Sequence, residues 1–280
     1  MLAILGVLGV SLAAMALVDT EEDVETTEDT TETDEDPSVP MVAVDSVLPP
    51  SDDDTVIFPG DADDTVITGA GDDHIDGQDG DDLLFSGDGD DRVEGGRGDD
   101  VISGGDGDDV LNGHVGDDVI ASEAGDDALN GGGGDDLLMG GDGDDALLGS
   151  LGHDRLAGGA GADTLHGGAG DDLIYDRGDL DRDYLNGGAG DDRLLGDTGD
   201  VLNGGTGADS FVLQTGGAVI VEDYTPGDDR IEIAHDGDAP ELATAVTPDG
   251  LTLSADGEAI ATFPNLTELD LAQVTLVPAG

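Results

Sequence analysis

GGDGDDVLN (residues 104–112) and GGAGDDLIY (residues 167–175) are two copies of one nine-residue unit, and the fold follows from how far that unit runs. Its form is G-G-x-G-x-D-x-U-x, where U is a large aliphatic residue. The sixth-position aspartate recurs without a gap at Asp64, Asp73, Asp82, Asp91, Asp100, Asp109, Asp118, Asp127, Asp136, Asp145, Asp154, Asp163 and Asp172. A two-residue insertion then moves it to Asp183, Asp192 follows, a one-residue deletion gives Asp200, and Asp209 closes an array of seventeen repeats. The eighth position is Val66, Ile75, Leu84, Val93, Ile102, Leu111, Ile120, Leu129, Leu138, Leu147, Leu156, Leu165, Ile174, Leu185, Leu194, Leu202 and Phe211, without a polar exception. A short fixed period of this kind marks a solenoid, in which each unit buries its apolar residue against its neighbours. The reading is all-β, with six Gly/Asp-rich residues of each unit forming a turn and three forming a strand.

The ninth position alternates. Odd repeats carry Ile67, Phe85, Ser103, Ala121, Met139, Ala157, Tyr175, Leu195 and Val212; even repeats carry Asp76, Glu94, Asn112, Asn130, Leu148, His166, Asn186 and Asn203. A true period of eighteen means that two repeats complete one coil and feed two sheets with different outer faces. The odd sheet is expected to be apolar outside, covered by the C-terminal tail, by the Val39–Leu48 segment or by a second copy of the protein.

The chain carries 69 acidic residues against 7 basic ones, for a net charge of -62. All the basic residues are Arg. Nucleic acid and anionic membrane would be repelled by such a surface. There is no cysteine, which excludes a disulfide framework, a thiolate zinc site and a thiol nucleophile. What the charge needs is cations. Carboxylates beside glycine-rich turns, whose carbonyls are free to point inward, form an oxygen-only donor set, the set preferred by calcium. Nothing here supplies the soft or imidazole ligands that favour zinc or copper. Magnesium would resist losing its water to a site built largely of carbonyls. One buried aliphatic residue per repeat contributes about 1.5–3 kcal/mol, against roughly 1–2 kcal/mol of backbone entropy for each ordered residue. Ion binding is therefore expected to be coupled to folding.

The unit resembles the RTX nonapeptide of hemolysin-type calcium-binding proteins, over roughly residues 51–212. The resemblance implies a right-handed parallel β-roll with two repeats per coil and several Ca2+ ions held between turns of neighbouring coils. The ligands would come from repeats n and n+2, so that Asp64 pairs with Asp82 and Asp73 with Asp91. The carbonyls of Gly96, Gly98, Gly105, Gly107, Gly132, Gly134, Gly141 and Gly143 would complete the shells. His114, Glu123 and Ser150 depart from the second-position glycine, and the insertion near 176–183 and the deletion near 197–200 put metal sites there in doubt. Family members are typically exported by machinery that reads a C-terminal signal, whereas this chain begins with an apolar stretch.

That stretch, residues 2–18, reads as a signal peptide or a membrane anchor, with a buried helix as the third reading. Residues 19–50 read as an acidic, proline-interrupted linker without a core of its own. Residues 213–280 read as a small β cap, in which LTLSA-DG-EAIAT (251–262) forms a hairpin. Arg97-Gly98-Asp99 and Arg177-Gly178-Asp179 are by-products of Arg preceding the repeat's glycine. No G-x-S-x-G, H-E-x-x-H or defensible Ser-His-Asp grouping is present, and identical repeated carboxylates do not provide the two distinct environments that acid/base catalysis needs. The expectation is a non-enzymatic, calcium-binding extracellular module that folds on export. The alternatives are a surface adhesin tethered through residues 2–18 and part of an exoprotein with activity in the tail.

Overall fold

The computed structural model describes residues 41–42 and 53–278, apart from residues 177 and 236. The apolar segment 2–18 and nearly all of the acidic linker lie outside the described residues. The described residues form an all-β solenoid of two sheets, one of fourteen strands that contains the even repeats and one of eleven that contains the odd repeats, and the repeat strands run parallel in both. Within the regular array each strand pairs with the strand eighteen residues on, as in Leu129 with Leu147 and Leu138 with Leu156. Two repeats thus make one coil, as the alternation at position nine requires.

The strands are longer than the sequence suggests. Leu83–Asp88, Val110–Val115 and Leu137–Asp142 are typical, each with six residues. They join positions seven to nine of one repeat to positions one to three of the next, so only positions four to six bend. The sequence pattern places the glycines at positions one and two in the turn. The pairing instead continues across them, skipping only position one: Met139 pairs with Ala121 and Gly141 with Glu123, while Gly140 has no partner in the register.

Alternation within the strand makes the core. Position eight points inward throughout, and Ile75, Leu84, Val93, Leu111, Leu138 and Leu156 are completely buried. Position one also faces inward, and where it is Ser or Thr its hydroxyl is bonded along the stack: Thr68 Oγ1 donates to the Ser86 carbonyl at 2.6 Å and Ser122 Oγ to the Gly140 carbonyl at 2.7 Å. Position two adopts the left-handed region, with Gly105 at φ 123° and Gly141 at φ 131°. The four non-glycine residues there settle at lower values: Gln78 and His114 at 79°, Glu123 at 87° and Ser150 at 82°. The turn survives these replacements, at a local cost of roughly 1–2 kcal/mol for each left-handed side chain.

The array does not close at Asp209. Arg230–His235 continues the odd sheet in parallel with Ser210–Gln214, and Ile231 is buried in the file of position-eight residues. Val219–Val221 continues the even sheet, which then ends in the antiparallel strands Leu242–Thr247, Gly250–Ala255 and Glu258–Phe263. Asp256 (φ 51°) and Gly257 (φ 88°) form the turn between the last two. Phe211, Tyr224 and Phe263 pack as a row of rings with centroids 6.3 and 5.7 Å apart.

Val274–Pro278 pairs edge-on with Arg230–His235, and Met41–Val42 pairs edge-on with Val56–Ile57 of the even sheet. These two strands lengthen the sheets, whose open edges offer unpaired backbone groups; the rest of the Val39–Leu48 segment, one of the covers expected for the odd face, lies outside the described residues. On the odd face Leu83 stays 41% exposed, and Phe85, Met139 and Tyr175 are half-buried.

Candidate metal centre

Every sixth-position aspartate from Asp64 to Asp209 is buried, none more than 6% exposed. Burial follows from the turn. Position seven must start the next strand outward and position eight inward, which tucks the preceding carboxylate under the neighbouring coil. There its Oδ1 accepts the backbone N–H of the aspartate one coil earlier. Asp64 donates to Asp82 at 2.8 Å, Asp73 to Asp91 at 2.7 Å and Asp118 to Asp136 at 2.8 Å. The aspartates of repeats n and n+2 are thus linked by a direct hydrogen bond.

The irregular stretches keep this ladder. Asp163 donates to Asp183 and Asp172 to Asp192 across twenty residues, both at 2.8 Å. Asp183 donates to Asp200 at 3.3 Å and Asp192 to Asp209 at 3.0 Å across seventeen. The inserted residues loop outward, where Leu180 is 83% exposed. The ladder also gains a member that the sequence reading missed: the Asp209 N–H donates to Asp229 Oδ1 at 3.1 Å. The signal for it was Gly227-Asp228-Asp229 followed two residues later by Ile231, a half-repeat without its leading glycines.

The second carboxylate oxygen is the telling atom. In each of the twelve consecutive ladder aspartates from Asp73 to Asp172, Oδ2 is buried without a hydrogen-bond partner. A buried acceptor left unsatisfied costs about 1–3 kcal/mol, more when charged, and a regular row of them calls for a ligand. Where the first position of the repeat is glycine, this oxygen packs against that glycine's α-carbon. A Cβ on Gly77 would lie 2.4 Å from Asp82 Oδ2 and 2.5 Å from the Gly95 carbonyl oxygen. The same pair of oxygens recurs at Gly95, Gly140 and Gly149. Glycine is required there, because a side chain would collide with the carboxylate and carbonyl oxygens packed against its α-carbon. The donor set and the free acceptors fit a hard divalent cation.

The glycines at positions two and four lie where neighbouring coils approach most closely. At positions two and four the carbonyls stack on the α-carbon of the same position one coil on: a Cβ on Gly105 would meet Gly87 O at 1.9 Å, and one on Gly107 would meet Gly89 O at 2.2 Å. Gly98, Gly132, Gly134, Gly141 and Gly143 share this arrangement, and Gly96 stacks on Gln78. Glycine is needed there for close coil approach. Beside Oδ2 the structure places first-position carbonyls such as Gly95, Gly158 and Gly167.

Charge burial has the expected electrostatic effect. Desolvation pushes Asp109, Asp136, Asp145, Asp183 and Asp192 up from 3.8 to about 7, and Asp82, Asp100, Asp118 and Asp172 up to about 6. The backbone N–H on Oδ1 opposes the shift, and the flanking aspartates add to it. The fifth-position acids are exposed, as a solvated face would be. They also form an outer ladder of opposite sense: the Asp81 N–H donates to Asp63 Oδ1 at 3.1 Å and the Asp99 N–H to Asp81 Oδ1 at 2.9 Å.

The family model described as RTX calcium-binding nonapeptide repeat (4 copies) matches residues 58–93, 85–120, 113–147, 121–156, 148–175 and 177–200, together more than half of the chain. Among solved structures, the chain is similar to the extracellular lipase LipA from Serratia marcescens at 19% identity and a TM-score of 0.25, covering 67% of this chain and 40% of that one. The chain therefore spans well under half the length of that lipase. No curated protein matches the chain.

Proposed function

We propose, from the premise that this chain belongs to the family of RTX calcium-binding nonapeptide-repeat proteins, that its inner aspartate ladder binds calcium in rows and that binding folds the roll. The observation that carries this reading is the unbroken run of buried, unpartnered Oδ2 atoms from Asp73 to Asp172. Without a cation these carboxylates must either be protonated or leave the interior. With calcium between coils, each Oδ2 gains the partner it lacks, and the negative charge becomes a binding resource.

The setting that suits such a device is outside the cell, where calcium is abundant and the chain would meet it on export. There the folded roll serves as a non-enzymatic structural or interaction module. Self-association would use the odd sheet's outer face, and sedimentation velocity of a Leu83→Asp variant in calcium tests that part. Calcium-dependent folding is tested by far-UV circular dichroism of the full chain, titrated with calcium and, separately, with magnesium. A cooperative coil-to-β transition driven by calcium alone supports the reading. A β spectrum that persists in chelator at neutral pH, or an equal response to magnesium, overturns it.

A further inference from the structure

The insertion after Tyr175 leaves Asp176 at the first position of its repeat, where the regular unit has glycine. At regular positions one carboxylate oxygen and one carbonyl oxygen pack against the first-position glycine, as at Gly140, where Asp145 Oδ2 and Gly158 O lie 2.2 and 2.7 Å from a would-be Cβ. At Gly158 the arrangement changes. Asp163 Oδ2 lies at 2.3 Å, and a carboxylate oxygen, Asp176 Oδ2, stands at 2.5 Å. Asp183 completes the group, so that one carboxylate oxygen from each of Asp163, Asp176 and Asp183 lies within 4.8 Å of the others.

Two features separate this cluster from an ordinary acidic patch. All three residues are buried, at 0, 2 and 2% exposure. Asp176 accepts one long hydrogen bond, from the Gly159 N–H to Oδ1 at 3.3 Å, while its Oδ2 has no hydrogen-bond partner and points into the group. Burial first, then the charges of Asp183 and Asp163, push Asp176 up to about 9. No ion pair among the described residues reaches any of the three.

We infer that Asp163, Asp176 and Asp183 form a divalent-cation site distinct from the repeating ones, in which a carboxylate replaces a neutral carbonyl and binds calcium more tightly than the rest of the array. The inference rests on the proposed calcium ladder and adds a hierarchy to it. Ligand charge is one of the quantities that tunes calcium affinity. The site fills first, and it stands where an insertion within the array lengthens the eighteen-residue step to twenty.

The chain supplies its own reporters. It has three tyrosines and no tryptophan. Tyr175 and Tyr184 are the chain neighbours of Asp176 and Asp183, and Tyr224 lies in the cap, where a Tyr224→Phe change silences it. In that full-length background, terbium is titrated and tyrosine-sensitised emission is read. Asp176→Gly restores the regular glycine and is expected to move the midpoint to about tenfold higher terbium, with the far-UV spectrum in saturating calcium unchanged. An unmoved midpoint overturns the inference and leaves a carboxyl pair sharing a proton. If Asp176→Gly fails to reach the β spectrum, Asp176→Asn, which keeps an oxygen ligand and removes one charge, is read against the same expectation. Loss of the calcium-driven transition in the unmodified chain would instead sink the calcium ladder, so the two failures are distinguishable.

Discussion

Lowering the pH should do in chelator what calcium does at neutral pH. In the folded roll nine ladder aspartates hold their protons up to about 6 or 7 (Asp82, Asp100, Asp109, Asp118, Asp136, Asp145, Asp172, Asp183 and Asp192), against 3.8 for an ordinary aspartate. Between those values the folded chain binds more protons than the unfolded chain, so stability falls as pH rises. The contribution is present in full below the unfolded value and is lost as pH climbs through about 6 to 7. A shift of two to three units corresponds to about 3–4 kcal/mol per residue. The ladder as a whole therefore works against the metal-free roll at neutral pH and favours it in mild acid. Far-UV circular dichroism in excess chelator should therefore show coil at about pH 8 and β structure at about pH 5. A β spectrum unchanged across that range, or folding that improves as pH rises, would refute the reasoning.

Other consequences are local. Leu138→Ala removes the single core side chain of its repeat and should cost about 2–5 kcal/mol in thermal denaturation with calcium, whereas Leu148→Ala, on the outer surface, should stay within about 0.5 kcal/mol. Glu123→Gly relieves a left-handed side chain and should stabilise the roll by up to about 1 kcal/mol, measured as a rise in Tm. Asp109→Asn should raise the calcium concentration needed for folding, while Asp108→Asn, on the exposed outer ladder, should leave it unchanged; equal shifts would mean that the two ladders share one role.

Much of this architecture was written in the period of the sequence. One aliphatic residue at a fixed place predicts the file of core side chains, and the alternation at position nine predicts two sheets with different faces. The extent of each strand was not legible, because Gly95 and Gly96 carry no side chain to reveal that the ladder runs past them. Asp229 was hidden by a twenty-residue step and by missing leading glycines. Asp176 looked like damage to a repeat; only the stacking of coils brings it to Asp163. The carbonyls beside Oδ2 belong to position one, a choice set by the inward face of the strand and invisible in a turn read as a string of interchangeable glycines.

The central claim is that Oδ2 of the inner ladder is a calcium ligand. Crystals of the calcium-loaded protein, measured at a wavelength where calcium scatters anomalously, test it directly. A row of anomalous peaks is expected along each turn, every one in contact with a sixth-position Oδ2 and a backbone carbonyl of the adjoining coil. Peaks confined to the exposed fifth-position carboxylates, or an inner ladder without peaks, would contradict it.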